Sequence, residues 1–337
     1  MESVQLAYSL RQLRYFVVTA EVLSFTSAAK LLHISQPSVS ASLAELESSF
    51  GIQLFIRHHA HGLSLTQAGR DMLSRARVLL KSAEDLQAAA KELDTGLTGT
   101  ISLGCMISLA ALLIPGLISR FLATHSGISF RIREAHQEDL LMDLRSGLLD
   151  MALTYELDLT DDIQFVPLFS LPPFAILPRK HRLARAKTVS LEDLSGEPYV
   201  MLDLPHSREY FFSLFDVLGT RPMVAFKSSQ PEVVKGMVAN GLGYSILNFP
   251  QRVFKSVDGQ DFVIKRIRER LRAMTFGIAY LEGTRPRTVV QSFASFCKEI
   301  DVNDRLRRRT HRMEAGLDRV PSSKSISNQR RPSASRS

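Results

Sequence analysis

A run of small polar side chains near the N-terminus is the part of the chain best suited to chemical recognition. Within SQPSVSAS at 35–42, the outward positions are Gln36, Ser38, Ser40, Ala41 and Ser42. A glutamine amide pairs with adenine through two hydrogen bonds, which discriminate against other bases by about 1–3 kcal/mol. Small serine and alanine side chains allow close approach to phosphates and thymine methyl groups. The predicted chemistry is therefore hydrogen bonding to the base edges of duplex DNA.

Two short predicted helices and a tight turn position these side chains. Ser24 caps the first helix over about 25–32, and Ile34 fills the corner of the turn. Ser35 caps the second helix, and Pro37 lies in its first turn, where the missing N–H costs nothing. The buried stripe of the second helix is Val39, Leu43, Leu46 and Phe50. This layout predicts a helix-turn-helix whose second helix enters the major groove; the alternative is a helical hairpin with merely solvated serines.

A wing is predicted after the second helix. Short strands at 54–57 and 63–65 flank a tip that carries His58, His59 and His61, and Arg57 is placed along the DNA backbone. Three histidines invite a metal site, but two are adjacent and no cysteine or carboxylate is nearby. A solvated wing tip that touches DNA is favoured, and no metal or other cofactor is expected.

Residues 10–70 resemble the DNA-binding module of the LysR-type transcriptional regulators. The resemblance rests on the ordered series LRQLRYFVVTAE, SFTSAAKLLHISQPSVSASLAELE, GIQLFIR and LSLTQAG. One departure is Ala41, because this position is often basic in the family, so the guanine contact made from there is in doubt. The DNA contacts expected from the motif and the resemblance together are Ser24, Thr26, Ser35, Gln36, Pro37, Ser38, Ser40, Ala41, Arg57 and His58.

A long helix is predicted from Thr66 to about Leu93, and its apolar positions follow a heptad. Large residues occupy one position of the repeat, and tiny residues (Gly69, Ala76, Ala83 and Ala90) occupy the other. Two such helices could interlock closely, which would hold two recognition helices on a roughly palindromic site. The alternative is a single helix that lies on its own domain. The predicted dimerisation residues are Met72, Leu79, Leu86 and Leu93.

From Gly99 onward, strands and helices alternate, which predicts open parallel sheets. The segments GTISLG, LLIPGLISRF, LRSGLLDMAL, FAILPRKHRLA, VSLEDLSGEPYVMLD and VKGMVANGLGYSIL resemble the effector-binding domain of the same family. That resemblance implies a two-lobed α/β fold like the type 2 periplasmic binding proteins. The expected fold is multidomain: an all-α winged helix-turn-helix at 8–66, a linker and dimerisation helix at 67–95, and an effector-binding domain at 97–301. Lobe I covers about 97–169 and 270–301, and lobe II about 170–269.

Two strand ends are expected to face one another across the cleft between the lobes. One is 105–108 and the other is 227–230, and each precedes a helix. Free N–H groups and a serine at a helix start suit a carboxylate or another small anion. The alternative is that Ser108 and Ser229 only cap their helices. The expected effector contacts are Met106, Ser108, Met201, His206, Ser228 and Ser229.

The length of 337 residues and the 45% hydrophobic content allow two or three globular units. We expect no membrane span, no signal peptide and a cytoplasmic location, since no apolar run is long enough to cross a bilayer. The cysteines, Cys105 and Cys297, cannot form a disulfide framework. Some members of the family sense oxidants through paired cysteines, but small buried thiols are the favoured interpretation here.

The net charge of +8 comes almost entirely from the C-terminal segment 302–337, which holds ten basic and three acidic residues. Residues 1–66 hold four of each, so basicity is not the argument for DNA binding. The Ser-, Arg- and Pro-rich tail is expected to be disordered. A solvated appendage is favoured over a salt-dependent electrostatic tether to DNA.

The expected function is a ligand-responsive transcription factor. Its expected partners are double-stranded DNA, a small-molecule effector, RNA polymerase and further copies of the chain; the resemblance implies tetramers. An enzyme is the main rival, but the sequence has no glycine-rich phosphate loop, zinc-ligand cluster or nucleophile elbow. A constitutive architectural DNA protein is the third possibility, and a footprint that shifts with an effector would reject it.

Overall fold

The N-terminal domain is a three-helix unit with a two-stranded wing. The computed structural model describes residues 7–58, 62–95, 97–219, 221–248, 254–284 and 286–299, so His59, His61 and the tail 302–337 lie outside the described residues. The first elements are the helices Leu10–Val22 (α1), Phe25–Leu32 (α2) and Gln36–Phe50 (α3) and the antiparallel strands Phe55–His58 (β1) and Gly62–Leu65 (β2). This arrangement confirms the winged helix-turn-helix.

Serine caps and left-handed residues define the ends of the three helices. Ser9, Ser24 and Ser35 each accept a hydrogen bond from the backbone N–H three residues further on, which satisfies one free donor of the helix start. His33 ends α2 at φ 55°, and Ile34 then packs into the core. The buried residues of α2 are Ala28 and Ala29. Leu31 is exposed, because the close crossing of α2 with its neighbours buries the alanines before it.

The helix Gln67–Thr95 (α4) leaves this domain and is anchored to it by its first turns. The Thr66 hydroxyl accepts a hydrogen bond from Gly69 N–H at 2.8 Å, which caps the helix. A Cβ atom at Gly69 would lie 2.2 Å from the Leu54 carbonyl oxygen, so only glycine permits this approach. Met72 and Ala76 then pack against the N-terminal core. The first part of the heptad therefore serves the fold of its own chain.

The first lobe is a five-stranded sheet flanked by three helices. The strands are Gly99–Met106 (β3), Ile128–Ala135 (β4), Met151–Tyr155 (β5), Ile163–Leu171 (β6) and, after the excursion into the second lobe, Met274–Leu281 (β13). The helices are Ile107–Leu122 (α5), Gln137–Arg145 (α6) and, near the end, Thr288–Glu299 (α10). The strand order is β4-β3-β5-β13-β6.

The second lobe holds a four-stranded and a two-stranded sheet. Its strands are Phe174–Pro178 (β7), Thr188–Val189 (β8), Tyr199–Leu202 (β9), Val224–Ser228 (β10), Ser245–Leu247 (β11) and Phe262–Ile267 (β12). Its helices are Leu191–Leu194 (α7), Ser207–Ser213 (α8) and Pro231–Ala239 (α9), with a 3-10 helix at Asp216–Leu218. The orders are β11-β7-β12-β8 and β10-β9.

The five-stranded and four-stranded sheets are mixed, whereas the sequence predicted parallel sheets; the two-stranded sheet of β9 and β10 is parallel. β3, β4 and β5 are parallel, but β13 runs antiparallel to both β5 and β6, and β7 runs antiparallel to both β11 and β12. The chain crosses between the lobes and returns, and these crossing strands enter each sheet in the opposite direction. None of the described helices combines the length and the apolarity that a bilayer crossing demands.

A buried carboxylate joins the linker helix to the first lobe. Asp150, whose side chain is 4% exposed, pairs with Lys81 of α4 at 2.8 Å and with Arg287 at 2.8 Å. Its carboxylate also accepts the Ser102 backbone N–H at 2.7 Å. Gly147, at φ 68°, lets α4 approach closely, since its Cβ would lie 3.2 Å from Val78. One carboxylate therefore ties together α4, the start of β5 and the segment before α10.

We expect Asp150→Ala to lower the free energy of unfolding by about 3 kcal/mol, because it leaves two partly buried cations without this carboxylate. Urea denaturation of the full chain measures the change. The matched control is Asp162→Ala, which removes the exposed Arg145–Asp162 pair and should cost less than about 1 kcal/mol. Equal losses in the two variants would show that the Asp150 contacts add no more than a surface pair.

Candidate nucleic-acid interface and interlobe cleft

The leading face of α3 presents the predicted base-reading side chains to solvent. Gln36, Pro37, Ser38 and Ala41 are exposed and Ser40 is half-buried. The Ser35 hydroxyl accepts the Ser38 N–H at 3.3 Å and lies 2.7 Å from the Ser38 hydroxyl. The opposite face of the helix is buried at Val39, Leu43 and Leu46. The polar face is therefore free for a partner, and its first turn is fixed by the cap.

Carboxylate contacts hold α3 rigidly within its domain. Glu47 accepts the backbone N–H groups of Leu54 at 2.7 Å and Phe55 at 3.1 Å, which fixes the start of the wing against the helix. The Gln12 amide of α1 donates to Glu45 at 3.2 Å. These contacts fix the position of α3 relative to α1 and to the start of the wing, and a supported geometry of this kind suits contacts with base edges.

The predicted contacts outside α3 lie around α2 and the wing. Ser24 is occupied as the cap of α2, and Thr26 beside it is exposed. The Arg57 guanidinium lies 5.1 Å from the centre of the Phe25 ring, which orients an exposed cation between α2 and the wing. The His58 ring is 2.8 Å from the Ser64 hydroxyl. Among the described residues, no group of His, Cys, Asp and Glu side chains is placed to hold a metal ion.

A small cavity lies where the two lobes meet. The first lobe contributes Met106, Ser108, Tyr155 and Met274 to it. The second lobe contributes Leu202, Leu204, Ser207, Phe211 and Asn248. The volume is about 10 Å³, room for a single water at most. Binding of any larger molecule requires the lobes or side chains to move apart.

Only some of the predicted effector contacts lie in this lining. Met106 and Ser108 line the cavity, but Met201 is fully buried within β9. The Ser228 hydroxyl accepts the Gln230 N–H at 3.1 Å, and Ser229 is exposed outside the lining. The serine-cap alternative for Ser108 and Ser229 does not hold, because Met106 and Gln230 are the N-caps of α5 and α9 and neither helix has a side-chain cap bond. Consecutive strand residues face opposite sides, and this alternation turns Met201 away while Leu202 faces the cavity.

His206 lies at the rim rather than in the lining. Its ring nitrogen Nδ1 is 3.1 Å from an Asp158 carboxylate oxygen, which links the two lobes beside the cavity. Both residues have positive φ, 63° for His206 and 45° for Asp158. Left-handed conformations are uncommon for residues other than glycine, so the local fold constrains this contact.

Tyr155 is the central cavity residue that sequence reasoning missed. It is the last residue of β5, and its hydroxyl lies 3.2 Å from the Ser108 hydroxyl. Burial raises the pKa of its phenol, opposed in part by the hydrogen bond to Ser108, so the group stays neutral. Asn248 and Met274 were also missed. The rule that ligands bind beyond the carboxyl ends of strands could have found Tyr155 and Asn248, which end β5 and follow β11.

The cavity lining carries no charged side chain among the described residues. The start of α5 contributes the positive end of a helix dipole to the cavity. Met106 is the N-cap there and makes no side-chain cap bond. The free N–H groups of the first turn and the helix dipole favour an anion. An effector with an apolar body and one polar group matches this environment.

The predicted dimerisation residues differ in burial along α4. Met72 is half-buried against the N-terminal core, whereas Leu79 is exposed and Leu86 is 75% exposed. The side chain of Leu93 lies outside the described residues. The middle of the linker helix therefore presents the apolar surface that is available to a partner.

Comparison with known proteins agrees with this architecture. Residues 10–70 match the bacterial regulatory helix-turn-helix protein model of the lysR family, and residues 94–301 match the LysR substrate binding domain. The chain is a DNA-binding transcriptional regulator, not an enzyme. It belongs to the LysR family.

Relatives cover most of the chain. The uncharacterized HTH-type transcriptional regulator YybE of Bacillus subtilis is 32% identical over 85% of this chain and 96% of its own length. The crystal structure of HinK, a LysR family transcriptional regulator from Pseudomonas aeruginosa, is 38% identical with a TM-score of 0.59, over 87% of this chain and 98% of that one. The hydrogen peroxide-inducible genes activator of Pectobacterium carotovorum is 29% identical over 71% of this chain and 78% of its own length.

Both cysteines are free and buried, Cys105 in β3 and Cys297 in α10. Burial raises the pKa of the Cys297 thiol to about 12. Burial also raises the pKa of the Cys105 thiol, with smaller contributions from Glu134 and Cys297. Because the thiolate is the reactive form, two inert thiols are expected at neutral pH.

We expect neither thiol to react with a water-soluble disulfide reagent in the native protein, and both to react after unfolding in guanidinium. Absorbance of the released thiolate measures this between pH 7 and pH 9. Peroxide treatment should leave operator binding unchanged. Rapid native labelling of Cys105, or peroxide-dependent binding, would contradict the inert-thiol interpretation.

Proposed function

We propose that the chain reads a specific operator through α3 and adjusts transcription in response to a small effector bound between its lobes. The observation that carries the first part is the fixed, exposed polar face of α3, with Gln36 at its start and a buried stripe behind it. Such a face fits the major groove, where leading helix residues meet base edges. Ser35, Ser38, Ser40, Thr26 and Arg57 are assigned to flanking phosphate or base contacts.

Gln36 is the proposed base reader, because its amide can donate to and accept from one adenine. Ala41, in contrast, has no polar group, so it offers a thymine methyl only an apolar contact. Ser24 and Pro37 are assigned a role in shaping the DNA-binding surface rather than in contacting bases, since Ser24 caps α2 and Pro37 lies in the first turn of α3. His58 is assigned to the backbone beside the wing.

We expect Gln36→Ala to weaken operator binding by about 1–3 kcal/mol, with little effect on random DNA, because a base contact is lost rather than a phosphate contact. Fluorescence anisotropy with both duplexes measures the two affinities. The matched control is Gln164→Ala, an exposed glutamine on β6 that should change neither. Equal losses on operator and random DNA would reject Gln36 as a base reader.

The effector is proposed to be a small anion, its charged group at the start of α5 and its apolar body against Leu204 and Phe211. The uncapped first turn of α5 and the Ser108 and Tyr155 hydroxyls support this proposal. The effector would replace the Ser108–Tyr155 contact with contacts of its own. An effector that prefers one arrangement of the lobes shifts the population toward it.

We expect a thermal-shift screen of small carboxylates to find a stabilising ligand, since a ligand that binds only the native state raises stability by mass action. Ser108→Ala should reduce that shift and leave DNA affinity unchanged. The control Ser119→Ala changes an exposed serine of the same helix. An unchanged shift in Ser108→Ala would remove this hydroxyl from the site, and stabilisation only by uncharged compounds would reject the anionic effector.

The proposed route from cleft to DNA module runs along β5. Tyr155 ends this buried strand at the cavity, and Asp150 precedes it and binds Lys81 of α4. At a rise of about 3.3 Å per residue, the two are roughly 16 Å apart along the strand. Movement of the first lobe is thereby transferred to the linker helix and to the angle of the DNA module that it carries.

The chain is proposed to act in the cytoplasm as a homo-oligomer that contacts RNA polymerase. Exposed Leu79 and Leu86 support pairing through α4 at a dimer interface. The edge strands β4 and β10 carry exposed Ile132 and Phe226, which supports a second interface and a tetramer. The proposed division keeps 8–66 as the DNA module, 67–95 as the linker and 97–301 as the sensor.

A further inference from the structure

Two segments of the second lobe are unusually basic, although they are far apart in the sequence. Residues 179–187 hold five Arg or Lys and no acid, and residues 265–272 hold five against one Glu. These segments together carry +9 and the tail 302–337 carries +7, so the rest of the chain has a net charge of −8. Positive charge outside the tail is therefore concentrated in these two segments.

The fold brings the two segments to the same edge of the four-stranded sheet. Strand β8 pairs in parallel with β12, with Thr188 opposite Arg266. The buried Lys265 ammonium donates to the Ala186 carbonyl at 2.8 Å, and the Arg268 N–H donates to the Val189 carbonyl at 2.8 Å. These bonds fix the loop before β8 against the end of β12.

The exposed cations at this edge form what we call the basic patch: Arg185, Lys187, Arg266 and Arg268. Arg268 lies 3.9 Å from Asp193, at the limit of an ion pair. Among the described residues, Arg185, Lys187 and Arg266 have no acidic partner. Exposed Arg270 and Arg272 continue the same run toward the first lobe. Cations that the fold does not neutralise internally are available to an external anion.

We infer that the basic patch binds the phosphate backbone of DNA outside the sequence that α3 reads. This inference rests on the proposed DNA-reading function. The DNA module has no excess of positive charge, yet phosphate contacts supply much of the affinity of DNA-binding proteins. Arginine, with its planar fork of donors, predominates in the patch and matches a phosphate group. The patch thus supplies the sequence-independent attraction that the module lacks.

The test compares the triple variant Arg185→Gln/Lys187→Gln/Arg266→Gln with the wild type on a duplex that extends several helical turns beyond the operator, and on random duplex of equal length. Log affinity is measured against log salt concentration. Each lost phosphate contact should reduce the slope by roughly 0.9, and three by about 2.7 per engaged protomer. At low salt, the affinity of the triple variant relative to the wild type should fall by the same factor for operator DNA and for random DNA.

Two control variants distinguish the effect of removing charge from the basic patch from the effect of removing charge elsewhere. A thermal melt of every variant tests for misfolding. Arg120→Gln/Arg131→Gln/Lys298→Gln removes three cations from the first lobe and should leave the slope unchanged. Arg185→Lys/Arg266→Lys keeps the charges and should keep the slope. Thermal melting should give the same midpoint for all variants, because the substituted patch side chains are exposed.

An unchanged salt slope in the folded patch variant would overturn the inference. Loss of polymerase binding with DNA affinity unchanged would overturn it too, since the patch would then serve an acidic protein surface. The preference of the wild type for operator over random DNA is measured in the same titrations. Absence of that preference would reject the proposed function, whereas the slopes alone decide the role of the patch.

Discussion

The buried carboxylate of Asp150 is the contact on which the proposed coupling between the DNA module and the effector-binding domain depends. A carboxylate that is 4% exposed must be compensated, and here Lys81, Arg287 and the Ser102 N–H compensate it. Because one cation comes from the linker helix and the other from the segment before α10, neither can shift independently of the sheet. The DNA module is thereby mounted on the first lobe, and Tyr155 places the cavity at the other end of the same strand.

The N-terminal domain and the second lobe differ in charge and in the kind of surface that they present. The N-terminal domain holds a small polar face rigidly, through caps and the Glu47 contacts with the start of the wing, and has no excess of charge. The second lobe carries the basic patch, and the interlobe cavity is neutral in its side chains. The proposed roles in sequence reading, phosphate attraction and effector binding thus fall on separate surfaces, so a substitution can test one role without removing the others.

The helix-turn-helix could be predicted from the sequence, because local interactions define its helices. The Ser24 and Ser35 caps, Pro37 and the apolar stripe of α3 all indicate the same helix boundaries and the same buried face. Non-local contacts were not accessible. The heptad of α4 left open whether Met72 and Ala76 pack on a partner helix or on their own domain, since an apolar position does not reveal its partner. Met201 lies outside the cavity lining, and the sequence could not show this because the facing of a strand residue depends on register. Tyr155 and Asp150 gain their roles only from elements distant in sequence, and the two basic segments became one patch only through strand pairing.

Sequence-specific reading by α3 is tested most directly by letting the purified full chain select DNA from a pool of random duplexes and sequencing what it binds. We expect enrichment of one roughly palindromic sequence, with half-sites one helical turn or a multiple of it apart, because the proposed pairing of linker helices would hold two copies of α3. A pool that shows no preferred sequence, with and without a stabilising ligand, would contradict it.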